Sequence, residues 1–187
     1  MDIVLELKKI DMYVPDGDSI RKVISGYSLQ LHRGEIKTVT AESEEEARLL
    51  YQLIAGEKEP TAGTVNRAEG TVGKIRKGSE PFGELQVYEN LMLAMGGRYR
   101  KGTAREYGFD PKAETSELSR ADKVKLMFAQ RYLQDPVYIA AEDPFRSLDE
   151  NEKQQVLSFI REETEKTGIP VVILHCDILS LIRRMTK

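Results

Sequence analysis

Several features that restrict function are scarce or missing in this chain of 187 residues. It has one cysteine, Cys176, so it forms no internal disulfide, and a reducing cytoplasm is its expected compartment. It has no signal peptide and no apolar run of about 18 residues, so we expect no membrane span. The net charge is −3 and no Lys/Arg run stands out, which argues against nucleic-acid binding because phosphate neutralisation needs a basic face.

The composition that remains, 40% hydrophobic and 32% charged, is typical of one globular domain over 1–187 with a sizeable core. Its N-terminal part, about 1–34, alternates apolar and polar residues as antiparallel strands do. A helical pattern follows, in which Ala47, Leu50 and Ile54 share one face. The stretch 95–118 is rich in Gly, Arg and Lys and has weak periodicity, so we assign no elements there.

The C-terminal part of the chain alternates strands and helices. Apolar runs at 136–141 and 170–174 indicate two buried strands. A helical pattern around Val156 and Ile160 separates them, and a closing helix is predicted over 178–185. This order predicts a parallel α/β architecture.

The segment 34–63 has the pattern of a strand, a loop and a helix. Its loop differs from a phosphate-binding loop in the residues that would hold phosphate. A phosphate-binding loop has the form G-x-x-x-x-G-K-[ST], whose backbone N–H groups and Lys hold phosphates. Aligned on the helix that follows, the loop has lost both glycines, the lysine and the hydroxyl, and it reads Ala41, Glu42, Ser43, Glu44, Glu45, Glu46, Ala47, Arg48. Each carboxylate about 4–6 Å from a phosphate would cost on the order of 1–4 kcal/mol. The loop therefore argues against nucleotide binding.

The same residues suit a helix start. Ser43 to Glu46 has the S-x-x-E pattern of a capping box, with Ser43 as N-cap and Glu46 reaching back. Carboxylates in the first turn also complement the helix dipole. We therefore expect the helix end to be satisfied by its own side chains.

Later motifs, in the same order, resemble those of an ABC-transporter ATP-binding subunit, especially the lipoprotein-release and macrolide-export type. The residues 117–122 stand where that family has E-L-S-G-G-Q, and 130–136 resembles A-R-A-L-x-x-D-P. The block 141–149 matches D-E-P-x-x-x-L-D, and 174–177 fits T-H-D. The resemblance implies a P-loop NTPase (ABC ATPase-like) fold of class α/β. It also implies an N-terminal antiparallel β-subdomain and a shortened helical subdomain, with a reduced insertion at about 87–118.

The resemblance also assigns positions to the family's site. These are the Walker B positions Glu142 and Asp143, whose order is swapped; the signature residues Ser119 and Arg120; the Q-loop position Lys77; the D-loop Asp149; the adenine-stacking position Tyr13; and the switch His175. Ser119 to Asp122 again has the pattern of a helix cap.

Alternatives stay open for Arg48, Tyr13 and His175. Arg48 either pairs with Glu142 or Asp143 in place of a metal site, or points to solvent. Tyr13 either stacks on adenine or packs at a strand end. His175 either contacts a phosphate or is structural, and Cys176 beside it is expected to be buried and inert.

The resulting hypothesis is a homologue of ABC ATP-binding subunits that has lost ATP binding and hydrolysis. It would be an accessory, regulatory or inactive partner subunit, with no ATP, Mg²⁺ or other metal bound. The expected partners are an ABC permease or an intact ATPase subunit, in a dimer, at the inner face of the membrane. Two alternatives remain: the weak half of a heterodimeric ATPase, and a protein-interaction module unrelated to transport. Fold analogy does not decide among them.

Overall fold

A computed structural model describes residues 2–96 and 99–176. The strands are β1 Ile3–Asp16, β2 Ser19–His32, β3 Ile36–Ala41, β4 Ala62–Arg67, β5 Val72–Ile75, β6 Tyr138–Glu142 and β7 Val171–Cys176. The helices are α1 Glu44–Ile54, α2 Val87–Met95, α3 Thr103–Glu106, α4 Arg120–Tyr132 and α5 Glu150–Thr167, with a 3₁₀ turn at Thr115–Glu117. The predicted closing helix 178–185 and Asp177 lie outside the described residues.

The strands form two sheets. One is antiparallel with the order β2-β1-β4, and the other is parallel with the order β3-β7-β6-β5. Both the antiparallel part and the parallel α/β part are as the sequence predicts. The antiparallel sheet extends beyond 1–34, because β4 follows α1 and pairs with β1. The sequence pattern missed β4 because Val65 is its only large apolar residue.

The parallel sheet is covered on both faces. Along β6, Tyr138 and Ala140 pack with α1, whereas Ile139 and Ala141 pack with α4 and α5. This alternation explains why β6 reads as a continuous apolar run, since a strand buried on both faces has no solvent side. The Tyr138 hydroxyl donates to the Ile54 carbonyl at 2.6 Å and so ties the sheet to the end of α1.

The insertion between β5 and α4 is short and helical. It holds α2, α3 and the 3₁₀ turn, all within the predicted 87–118. No helix in the stretches 2–96 and 99–176 is both long and apolar enough to cross a membrane.

Glu6 on β1 joins the three strands of the antiparallel sheet. Its carboxylate accepts from Gln30 Nε2 on β2 at 2.7 Å and from Asn66 Nδ2 on β4 at 3.2 Å. Lys8 Nζ lies 2.8 Å away. The hydrogen bond from Lys8, followed by those from Gln30 and Asn66, lowers the pKa of Glu6 from 4.5 to about 2.

We expect Glu6→Gln to be destabilising above the ordinary carboxylate pKa and nearly harmless in strong acid. A carboxylate whose pKa falls on folding stabilises the protein above its unfolded pKa of 4.5, and this stability is lost as the pH falls toward about 2. Chemical unfolding of both proteins from neutral pH to strong acid measures the difference. Glu84→Gln, at an exposed glutamate, is the control. A Glu6→Gln effect that stayed constant with pH would contradict the assignment.

Candidate functional site

The parallel strands bring most of the predicted site residues to one edge. The segment 41–48 begins at the end of β3, and Lys77 lies two residues beyond β5. Glu142 ends β6, and His175 lies near the end of β7. Since carboxyl ends of parallel strands share one edge, four segments far apart in sequence meet there.

The start of α1 is satisfied by its own side chains. Ser43 is the N-cap, and its Oγ accepts from Glu46 N at 3.0 Å. The Glu46 carboxylate reaches back and accepts from Glu42 N at 2.7 Å. The predicted cap is therefore present, with one difference: Glu46 binds the amide of Glu42 rather than that of Ser43. Two amides at this helix end are already bonded within the loop.

Two cations neutralise the first-turn carboxylates. Lys77 Nζ lies 3.0 Å from Glu44 Oε1, and Arg21 Nη2 on β2 lies 2.6 Å from Glu45 Oε2. The hydrogen bond from Lys77 and its charge lower the pKa of Glu44, and the bond to Glu45 raises the pKa of Arg21. The loop is thus bound to both neighbouring parts of the fold, the antiparallel sheet and the segment after β5.

Lys77 also contacts the Walker B position. Its backbone N–H donates to Glu142 Oε2 at 3.3 Å. One residue therefore links the start of α1 through its side chain and the end of β6 through its backbone. Asp143 has φ of 47° and donates its N–H to the Leu174 carbonyl at 2.7 Å.

Of the two alternatives left open for Arg48, the structure supports the one in which its side chain points to solvent. Arg48 is exposed, and none of the ion pairs between described residues includes it. Its helical position turns it to solvent, whereas its neighbours Ala47 and Leu49 are buried. The group that approaches Glu142 is the backbone N–H of Lys77, in the segment after β5.

The structure also gives the surroundings of three more residues singled out from the sequence, His175, Tyr13 and Cys176. His175 Nε2 lies 3.4 Å from Thr40 Oγ1, which joins the ends of β7 and β3. Tyr13 is 40% exposed, and Lys22 Nζ lies 5.4 Å from its ring centroid, so it does not pack into the core. Cys176 is half-buried rather than buried.

The signature and D-loop positions meet each other through an ion pair. Ser119 caps α4, with its Oγ accepting from Asp122 N at 3.1 Å, as the pattern predicts. Asp149 caps α5 by accepting from Glu152 N at 2.8 Å. Arg120 Nη2 then lies 3.0 Å from Glu152 Oε2 and joins the two helix starts. The polar groups of Ser119 and Arg120 thus have partners within the chain.

Comparisons with known proteins bear on the fold of the chain. No protein-family model matches the chain. It is 23% identical over 215 residues to the lipoprotein-releasing system ATP-binding protein LolD of Hydrogenovibrio crunogenus, covering 100% of this chain and 92% of that protein. The structure superposes on cbiO1 of Clostridium perfringens, part of an ABC transporter complex, with a TM-score of 0.77 at 15% identity, covering 95% of this chain and 80% of that one. It also matches a dimeric ATP-binding cassette bound to ADP and Pi, with a TM-score of 0.70 at 17% identity and 94% and 89% coverage.

The chain has the fold of an ABC-transporter ATP-binding cassette. The resemblance stated from the motifs is confirmed, and the lipoprotein-releasing type is among the relatives. The parallel sheet, the antiparallel subdomain and the short helical insertion all belong to this cassette fold.

Sequence reasoning did not find the roles of Arg21 and the Lys77 side chain. Lys77 was assigned by its position, but no contact with Glu44 followed from that. The sequence did contain one indication, because the segment 42–46 has four carboxylates in five residues and such a cluster needs cations nearby. It does not indicate which lysines or arginines supply them. Among the described residues, no group of three His, Cys, Asp or Glu side chains is arranged to hold a metal ion.

Proposed function

We propose that the chain is an ABC ATP-binding-subunit homologue that has lost ATP binding and hydrolysis and is an accessory, regulatory or inactive partner subunit. The observation that carries this is the start of α1. In a phosphate-binding loop, converging N–H groups at a helix start hold the phosphates. Here the N–H groups of Glu42 and Glu46 are bonded to Glu46 and Ser43.

The charges support the same conclusion. A triphosphate that bound Lys77 and Arg21 would have to displace them from Glu44 and Glu45, which would leave both carboxylates unneutralised beside the phosphates. Two like charges about 4 Å apart repel by roughly 1–4 kcal/mol between bulk-water and surface-like screening. The lysine that would offset such terms is missing from 41–48. The charges around 41–48 therefore favour a loop that is hydrogen-bonded to itself over one that binds a triphosphate.

The Walker B and signature positions support loss of hydrolysis. Glu142 accepts the Lys77 amide, and a base for water must lie within hydrogen-bond reach of the reacting group. Ser119 and Arg120 are engaged with Asp122 and Glu152. We therefore propose that the chain assembles with an ABC permease or an intact ATPase subunit at the inner face of the membrane, in the cytoplasm, without binding Mg-ATP itself.

Mg-ATP at millimolar concentration is expected to leave the melting temperature unchanged. A ligand at a tenfold excess over its Kd would add about 1.4 kcal/mol of stability, a shift that differential scanning fluorimetry detects. The lipoprotein-releasing relative, measured in parallel, is the positive control. An upward shift that required Mg²⁺, with nucleotide bound along 41–48 in a crystal, would overturn the proposal.

The partner role has its own test. The chain is mixed with an intact ABC ATPase subunit, and complex formation and ATP turnover are measured. A complex whose turnover is unaffected by Ser119→Ala and Arg120→Ala supports an accessory subunit. A turnover that both substitutions abolish, while the complex persists, would instead identify the chain as the weak half of a heterodimeric ATPase.

A further inference from the structure

The helical insertion contains a cavity of about 620 Å³ that the proposed function does not use. Tyr88 on α2 and Tyr99 line it together. Their ring centroids are 6.4 Å apart and the ring planes are inclined by 55°. Tilted aromatic rings at this separation offer a planar apolar group both faces and edges to contact. The cavity therefore has an aromatic wall.

Three cations surround the same cavity, Lys101, Arg105 and Lys112. Among the described residues that line it there is no Asp or Glu. None of the ion pairs between described residues includes any of the three. A concave site lined by one sign of charge concentrates counter-ions, so this cavity attracts anions even though the whole chain carries a net charge of −3.

Three carboxylates close to the cavity in sequence are bonded to residues that line it, but not to its cationic groups. Asp110 accepts from Lys112 N at 3.0 Å, and Glu114 accepts from Gln86 Nε2 at 3.1 Å. Glu89 accepts from Gln86 N at 2.8 Å and caps α2. The Tyr88 hydroxyl also donates to Glu89 Oε1 at 3.3 Å. None of these bonds engages the ammonium or guanidinium group of Lys101, Arg105 or Lys112. The three ammonium and guanidinium groups therefore remain available to a ligand.

We propose that this cavity binds a small anion that carries an aromatic ring. The ring would lie against Tyr88 and Tyr99, and the anionic group would lie among Lys101, Arg105 and Lys112. None of these residues belongs to 41–48 or to the Walker B and signature positions, so the site is separate from the lost nucleotide site. The class includes phosphate monoesters and carboxylates of aromatic compounds.

Calorimetric titration with phenyl phosphate and with phenylacetate tests the site. We expect saturable binding of at least one, with a Kd of roughly 0.1–1 mM for ligands of this size. Which of the two binds more tightly identifies the head group. Inorganic phosphate has the charge without the ring, and phenol has the ring without the charge, so both should bind at least about tenfold more weakly. No saturable binding of either aromatic anion up to about 10 mM would overturn the proposal.

Charge reversal at the cavity provides the structural test. Lys101→Glu with Lys112→Glu should weaken binding at least tenfold, about 1.4 kcal/mol. The matched control is Lys58→Glu with Arg161→Glu, two exposed residues outside the cavity whose replacement changes the net charge equally. Tyr99→Leu removes a ring and keeps every charge, and it should also weaken binding. Equal weakening by both charge-reversed pairs would show that affinity follows overall charge, and would overturn the site. Circular dichroism checks that each variant is folded.

ATP also carries a ring and negative charge, so the two proposals need separate readouts. The Mg-ATP melting experiment is therefore repeated in the Lys101→Glu, Lys112→Glu variant. A Mg²⁺-dependent rise in melting temperature that persists in this variant indicates ATP binding at 41–48. It contradicts the proposed loss of ATP binding and leaves the cavity proposal unaffected. A shift seen only in the native chain belongs to the cavity.

Discussion

Replacing Asn90 with alanine should lower the free energy of unfolding by about 3 kcal/mol. Asn90 on α2 is 0% exposed. Its Oδ1 accepts from Phe82 N at 3.0 Å, and its Nδ2 donates to the Phe82 carbonyl at 2.9 Å and to Thr115 Oγ1 at 3.0 Å. Alanine would leave the part-buried backbone groups of Phe82 and the buried Thr115 hydroxyl without Asn90, and each buried unsatisfied group costs about 1–3 kcal/mol. The side chain therefore holds the 3₁₀ turn and the segment after Lys77 against α2.

Urea unfolding followed by circular dichroism measures the loss. Asn151→Ala, at an exposed position on α5, is the matched control and should change stability by no more than about 0.5 kcal/mol. Hydrogen exchange adds a local readout, because amides of 77–85 should lose protection in the Asn90 variant. A loss below about 1 kcal/mol would show that the buried network is not the main support of this segment.

The sequence was most informative where a local rule governs structure. The caps at Ser43 and Ser119 were predicted because an N-cap depends on residues within three positions of each other. The strands β6 and β7 were predicted because burial on both faces leaves an apolar run. The cassette fold followed from the order of several weak motifs rather than from any one of them.

Contacts between segments far apart in the sequence could not be predicted from local sequence rules. The sequence left open whether Arg48 pairs with Glu142 or Asp143 or points to solvent, and the helix turns it to solvent. The group that contacts Glu142 is the backbone N–H of Lys77, whose ammonium pairs with Glu44, and the cation at Glu45 is Arg21 on β2. These pairings depend on how the sheet edge and the antiparallel subdomain are placed in space. The same holds for the aromatic and basic cavity, which lies in a stretch with weak periodicity.

The second large effect is expected from Gly63→Ala, at about 3 kcal/mol or more of lost stability. Gly63 on β4 has φ of +96°, a region that side chains rarely adopt. A Cβ there would lie 2.5 Å from the Lys9 carbonyl oxygen and 2.6 Å from that of Lys8. Both are backbone atoms of β1, beside an irregularity where Lys9 has φ of 49°. Relief would require the two strands to separate, which breaks the pairing that attaches β4 to the sheet.

Gly83→Ala separates this cause from the general effect of replacing a glycine. Gly83 does not have a positive φ, and an added Cβ would meet no atom within 4 Å. Loss of backbone freedom in the unfolded chain should then stabilise the protein by about 0.4–1 kcal/mol. Thermal unfolding of the two variants should therefore give shifts of opposite sign. Equal, small changes in melting temperature would mean that β1 and β4 accommodate the added methyl group without loss of stability. The close approach at Gly63 would then not fix the position of β4.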